Sequence, residues 1–365
     1  VINVPFPKID IIFKTLGSTA IKREERGTVA LILEDEVPEE NPIILNGINE
    51  IPDNLSEENK EQIELAFMGG VKTPKKVIAY VISKGTEQDP TNYTEAQKYL
   101  ETILWDYLAV PQIKSPDVLP MATWVKGLRD NKDMEVKAVL PHCTADHEGV
   151  INFDTDDIKV GDKIYTAAEY CSRIAGIVAG CPLTMSTTFQ VLSEVDDVPH
   201  LTIEEFDKAI DEGKLVLMND GEKVKIARGV NSLVTTTKDK GEDFKKITII
   251  DKMDMWKSDV KRTVADNYTG KYPNSYDNKC LLITSVQAYN DELALQGILD
   301  DSLPEYNKVF IDIDSQKNYL KSIGTDVEGM EEQDIKKANT KDKVFIASNP
   351  KFLDAMEDFK INVSI

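Results

Sequence analysis

The segments Thr28-Val29-Ala30-Leu31-Ile32-Leu33 and Lys76-Val77-Ile78-Ala79-Tyr80-Val81-Ile82 are almost unbroken apolar runs of strand length. A strand without polar alternation must be covered on both faces, as in a parallel sheet layered between helices. Helix signals lie between and after these runs. Ser56 can cap a helix ending near Gly69-Gly70, and Thr94 with Gln97 reads as a capping box before Ala96, Leu100, Ile103, Leu104, Tyr107 and Leu108 at helical spacing. A further helix is expected over Thr123 to Asp130 and a strand over Val136 to Leu140; Thr166 and Glu169 then open a helix that Gly180 and Pro182 stop. This alternation predicts an α/β layer on a mostly parallel sheet over roughly residues 20 to 200.

The pattern then changes. Thr202 and Glu205 cap a short helix ending at Gly213, and Asn219-Asp220-Gly221 between Leu215–Met218 and Val224–Ala227 marks a hairpin. The polar run from Thr235 to Gly241 is the best linker. A strand (Ile247 to Ile250), a helix from Asp251 to about Asn267, a long helix from roughly Leu281 to Leu299 and a strand over Lys308 to Ile313 are expected beyond it, an α+β block. The resulting division is an N-terminal arm, 1–18; an α/β domain, 19–240, with a hairpin near 215–227; an α+β domain, 241–357; and a C-terminal arm strand, 358–365.

Both ends have strand character. Ile9, Ile11 and Phe13 share one face of an extended segment that follows Pro5 and Pro7, as an arm or edge strand does. Phe359, Ile361, Val363 and Ile365 alternate with polar residues to the last position. Ends normally fray, so four apolar residues on one face there require a partner.

Chemistry is sparse. With 43 Lys+Arg against 64 Asp+Glu, the formal charge of −21 argues against an electrostatic grip on nucleic acid or an anionic membrane. No run of 18 apolar residues occurs, and Val1 to Pro5 lacks a signal-peptide start, so the chain reads as soluble and not secreted by that route. Four scattered cysteines read as reduced thiols. The segment His142-Cys143-Thr144-Ala145-Asp146-His147-Glu148 lacks the usual paired metal spacings and reads as a strand-end loop. Phosphate-loop signatures are missing, so no metal, cofactor or nucleotide is expected. Met253, Trp256, Val260 and Val264 form a helical stripe that reads as core. Lys257 and Lys261 lie beside it, either paired with Asp254 at i+3 or available to an acidic partner.

Four stretches in order carry a family resemblance. They are the extended head leading into Arg26-Gly27-Thr28-Val29-Ala30-Leu31; Ala167-Ala168-Glu169 through Gly180-Cys181-Pro182-Leu183 to Ser186-Thr187-Thr188; Ala227-Arg228-Gly229-Val230-Asn231-Ser232-Leu233; and Tyr268-Thr269-Gly270-Lys271-Tyr272-Pro273-Asn274-Ser275 on to Ala355-Met356-Glu357-Asp358 and the final strand. Together they resemble the contractile tail sheath proteins of myophages and of R-type bacteriocins of Gram-positive bacteria. The resemblance implies a subtilisin-like α/β domain and no enzyme activity. It also implies helical self-assembly around an inner tail tube, with baseplate and tail terminator proteins as further partners. Terminal arms would add strands to neighbouring subunits, here through Ile9, Ile11, Phe13, Phe359, Ile361, Val363 and Ile365. Lys257 and Lys261 would be possible tube contacts. The place of action would be a virion tail or bacteriocin particle assembled in the host bacterial cytoplasm. The alternative from another class is an α/β hydrolase using Ser186 or the His142/His147 loop.

Overall fold

The computed structural model describes residues 20–23, 26–86 and 90–364. Ile9, Ile11, Phe13 and Ile365 lie outside them. The chain divides into two compact units: Arg23–Ser258 with the tail from Phe352, and Asp259–Lys351 with residues 20–22. The division between these compact units falls inside a helix, after Ser258.

The larger unit opens with β1 (Thr28–Glu34), β2 (Ile43–Leu45), α1 (Glu57–Met68), β3 (Lys76–Ile82), α2 (Thr94–Leu100), β4 (Tyr107–Ala109), α3 (Ser115–Lys132) and β5 (Lys137–Pro141). It continues with β6 (Val150–Phe153), β7 (Ile158–Val160), β8 (Lys163–Tyr165), α4 (Ala167–Ala179), α5 (Ile203–Asp211), β9 (Lys214–Leu215), β10 (Leu217–Asn219) and β11 (Val224–Ile226). Then α6 (Ile247–Asn267) crosses the division. Seven strands form one sheet in the order β2-β3-β1-β4-β5-β6-β9, parallel throughout except for β2.

Alternate residues of β1 serve two cores, which is why its sequence has no polar face. Val29, Leu31 and Leu33 pack with Ile63 and Ala66 of α1 and Ile174 and Ile177 of α4. Ala30 and Ile32 pack with Leu100 of α2 and Met121 and Val125 of α3. The result is an α/β/α layering, as the alternation of runs and caps implied. Helices α1 and α4 meet at backbone distance, because a Cβ on Gly176 would stand 2.0 Å from the Ala66 carbonyl oxygen. Ser56 caps α1, and Thr166 and Thr202 form capping boxes with Glu169 and Glu205.

Three local expectations fail for physical reasons. Tyr107 and Leu108 are strand, not helix: α2 stops at Leu100, where the Trp105 indole donates to the Leu100 carbonyl at 2.8 Å and Thr102 Oγ1 donates to the Tyr99 carbonyl at 2.7 Å. Those side chains cap the end without any Gly or Pro, so the apolar spacing runs on past it. Thr94 is the first residue of α2 and not its cap: the N-cap Tyr93 makes no side-chain cap bond, and the Thr94 N–H donates to Asn92 Oδ1 at 3.0 Å. Ile247 to Ile250 begin a helix despite their β-branched run, because Asp251 and Asp254 both reach Lys137, and residues three apart share a side only in a helix.

The smaller unit holds α7 (Tyr276–Leu295), β12 (Val309–Ile311), α8 (Ile313–Ser322), α9 (Glu332–Lys337) and β13 (Ile346–Ser348). β12 and β13 pair antiparallel, and Leu320, Val327 and Ile335 form a small core. Among the described residues, no helix is long and apolar enough to cross a membrane.

Candidate functional site: the root of the C-terminal tail

The site is built outward from the sheet. Asp106, just ahead of β4, accepts the backbone N–H groups of Gly27 and Thr28 at 2.8 and 2.9 Å and pairs with Arg26 at 3.3 Å. Arg26 also donates to the Asp251 carbonyl at 2.8 Å, and the Tyr107 hydroxyl donates to the Asp251 carboxylate at 2.5 Å. Lys137, 1% exposed, lies 3.1 Å from Asp251 and 2.7 Å from Asp254. Arg129 grips Asp254 with two parallel bonds of 2.9 Å. Burial by itself raises the Asp254 pKa, but Lys137 and Arg129 outweigh it and hold the carboxyl well below the usual carboxylate range. This cluster seats the start of α6 under the sheet.

From there α6 reaches the tail. Lys246, immediately before the helix, pairs with Asp354, and the buried Lys252 ammonium donates to the Leu353 carbonyl at 2.5 Å. The loop after α4 completes the grip. Its departure requires glycine at 180, where a Cβ would lie 1.9 Å from the Lys72 carbonyl oxygen. Ser186 and Thr188 each donate a hydroxyl to Glu357 Oε1 at 2.6 Å, while Thr188 Oγ1 accepts the Gly229 N–H at 2.9 Å. Arg228 stands 3.2 Å from the other Glu357 oxygen and 2.6 Å from Asp358. The bond to Asp358 raises the Arg228 pKa, and Arg228 in turn lowers that of Asp358.

Past this clamp the chain changes character. The Glu357 side chain is only 8% exposed, whereas Phe359, Ile361 and Val363 are 71, 80 and 78% exposed and form no strand with their own subunit. Three of the four sequence stretches that carried the resemblance thus meet here: Ser186 to Thr188, Arg228 and Gly229, and Glu357 and Asp358. Sequence reading assigned no role to Lys246, Lys252, Arg228 or Glu357. The available signal was the acidic trio Asp354, Glu357 and Asp358 directly before an alternating apolar tail.

The hydrolase candidates do not converge. Ser186 is bound to Glu357, and His142 bridges Asp154 and Asp156 at 2.5 and 2.9 Å. Buried His147 accepts the Gly149 N–H and faces Asp130. Its pKa is lowered, first by burial. Among the described residues no cluster of His, Cys, Asp and Glu fits a metal ion.

The expected pairing of Lys257 with Asp254 is not formed, since Asp254 is taken by Arg129 and Lys137. Half-exposed Lys257 binds Asp133 and Glu135 instead. Burial lowers its pKa, and these carboxylates more than compensate. Lys261 is exposed. The stripe expected as core, Met253, Trp256, Val260 and Val264, is half-buried, and the buried side of α6 carries Lys252, Asp254, Met255 and Asp259.

Comparison with known proteins agrees with these observations. Residues 86–232 match the model of the phage tail sheath protein central domain, and residues 239–365 match that of the phage tail sheath C-terminal domain. The tail sheath protein of Clostridium phage phiCD119 is 37% identical over 362 residues, 98% of each chain. The fold also matches two solved structures. One is the sheath tail protein of Desulfitobacterium hafniense (TM-score 0.70, 17% identity, 84% of this chain and 94% of that one), and the other is the contracted helical sheath of the anti-feeding prophage (TM-score 0.72, 13% identity, 99% of each chain). The two family models, which together span most of the chain, and 37% identity to a tail sheath protein over nearly the full length establish that this chain belongs to the phage tail sheath protein family.

Proposed function

We propose that the chain is a structural subunit of a contractile sheath that polymerises helically around an inner tube, linked by strands exchanged between neighbours. The observation that carries this reading is the contrast at Asp358, where a chain gripped by five side chains, Lys246, Lys252, Ser186, Thr188 and Arg228, becomes a bare segment of alternating apolar residues. A strand added to a neighbour gains affinity from main-chain hydrogen bonds and register from alternate side chains. Candidate receivers on the same chain are the two-stranded sheets β7–β8, β10–β11 and β12–β13 among the described residues, short of the three strands that make a sheet self-sufficient; the outer side of β11 already bonds to residues 189–192. Donor and receiver surfaces differ, so the contact is heterologous and propagates as an open helix.

Contraction then needs no nucleotide. Subunits assembled in a high-energy extended state, in the host bacterial cytoplasm, rotate and move outward as near-rigid bodies when the baseplate releases them, and the arms keep them connected. The inner tube and a tail terminator complete the set of partners. Negative-stain microscopy of concentrated protein tests this reading: hollow striated cylinders are expected, and monodisperse globules alone contradict it.

For the tube contact, Lys257 and Lys261 are the proposed lysines; Lys257 also binds Asp133 and Glu135, and Lys261 is exposed. Exposed pairs are screened within about 10 Å at 0.1 M salt. Lys261→Glu and high salt are both expected to raise the fraction of prematurely contracted particles in micrographs. An unchanged extended fraction under both treatments removes Lys261 from the contact.

A further inference from the structure

The loop that clamps Glu357 also presents an unusual side chain. Phe189 has a φ of +58°, a left-handed conformation disfavoured for a bulky residue, and it alone among the described non-glycine residues of positive φ is hydrophobic. Both of its flanks are pinned. The Phe189 N–H donates to the Ile226 carbonyl at 2.8 Å, the Ile226 N–H donates to the Gln190 carbonyl at 3.0 Å, and the preceding Thr188 holds Glu357. Phe189 is 55% exposed, with the Lys225 ammonium 5.1 Å from the centre of its ring. Met185, Val191 and Met356, all exposed, lie on the same loop or on the clamped tail.

An exposed ring held outward at a conformational cost is characteristic of a contact site and has no role in its own core. What covers it follows from reach. The alternating apolar segment begins at Phe359, the first residue past Asp358 of the clamp, and an extended chain spans at most about 3.3–3.6 Å per residue. If that segment pairs as a strand from its first apolar residue, hardly any linker separates it from the clamp, so the receiving subunit stands directly against the clamp loop. We propose that Phe189, with Met185, Val191 and Met356, forms an apolar contact with a second copy of this chain at the point where the arm crosses between subunits. The proposal rests on the arm-exchange reading.

The test compares free subunits with assembled sheath by hydroxyl-radical footprinting and mass spectrometry. Oxidation of Phe189, Met185 and Met356 is expected to fall several-fold on assembly, and equal oxidation in both states overturns the proposal. A second arm uses the full chain carrying Phe189→Asn. Asparagine accepts a positive φ more readily, so the thermal midpoint is expected to stay or rise while the critical concentration for assembly rises about tenfold or more. Wild-type assembly by a folded Asn variant also overturns it, and should that variant fail to fold, the footprint of the wild-type protein decides. Deleting Phe359 to Ile365 separates the two ideas: if the deletion variant still polymerises, the arm reading fails, and protection of Phe189 in that polymer is then judged on its own.

Discussion

Deletion of Phe359 to Ile365 is expected to leave a folded subunit with an unchanged thermal midpoint that no longer polymerises. The midpoint holds because Phe359, Ile361 and Val363 are exposed and have almost no burial to lose, while the clamp on Leu353, Asp354, Glu357 and Asp358 lies upstream of the cut. Polymerisation fails because each apolar side chain buried on a neighbour is worth roughly 1.5–3 kcal/mol. Ordering the tail takes back about 1–2 kcal/mol per residue. Over four side chains and seven residues the two terms nearly cancel, so main-chain hydrogen bonds to the neighbour supply the margin, and the contact is decisive only because every subunit of a polymer repeats it. Prolines at Ile361 and Val363 remove ladder donors and are expected to act like the deletion. Loss of Val1 to Thr15 is expected to have the same outcome. Regular tubes from a truncated subunit, or unfolding of the isolated one, contradict this, the latter by making the strands part of their own core. Sedimentation and electron microscopy on one preparation read both.

Replacing Asp254 by alanine is expected to have the largest effect on the subunit itself. Arg129 and Lys137 then lose a carboxylate they share deep in the protein, and breaking such a pair costs about 3–5 kcal/mol. Against a total of about 5–15 kcal/mol this is a large share. It also unseats the start of α6, whose Lys252 and the adjacent Lys246 hold the tail. Denaturant titration should show the loss, and the combined variant Asp254→Leu, Arg129→Met and Lys137→Met should recover part of it, because Arg129 and Lys137 no longer face a missing carboxylate while Asp251 keeps the Tyr107 hydroxyl and nearby Arg26. The pH dependence has a definite sign. The folded pKa of Asp254 is depressed, so its contribution is fully present above the unfolded carboxylate value of about 3.9 and is lost as pH falls through the lower folded value. The stability gap between wild type and Asp254→Asn should therefore be flat near neutrality and close only in strong acid. A gap that closes between pH 8 and 5 contradicts the assignment.

The layers of the fold were legible wherever one local rule decided. Val29 to Leu33 had to be covered on both faces, and Thr166 with Glu169 could cap only one kind of element. Failures came where a long-range partner overrode a local preference. Ile247 to Ile250 carry strand propensity, yet Asp251 and Asp254 had to face Lys137 together. The end of α2 is set by Trp105 and Thr102, whose capping role leaves no mark in composition. The alternation of the tail was visible in the sequence, and its root was not, because Ser186, Arg228, Lys246 and Glu357 are far apart in sequence and only the fold brings them together. Charge was misleading for Lys257, since Asp133 and Glu135 lie across the α3–β5 connection and not one helical turn away.

The most direct measurement is electron cryo-microscopy of the assembled sheath at a resolution that traces the last residues. Phe359 to Val363 are expected to leave the clamp at Asp358, enter the adjacent subunit and hydrogen-bond as an added strand along one of its sheet edges, with Glu357 still held by Ser186, Thr188 and Arg228. A tail that packs on its own subunit, or stays unpaired in the sheath, would contradict the exchange of strands as the link between subunits.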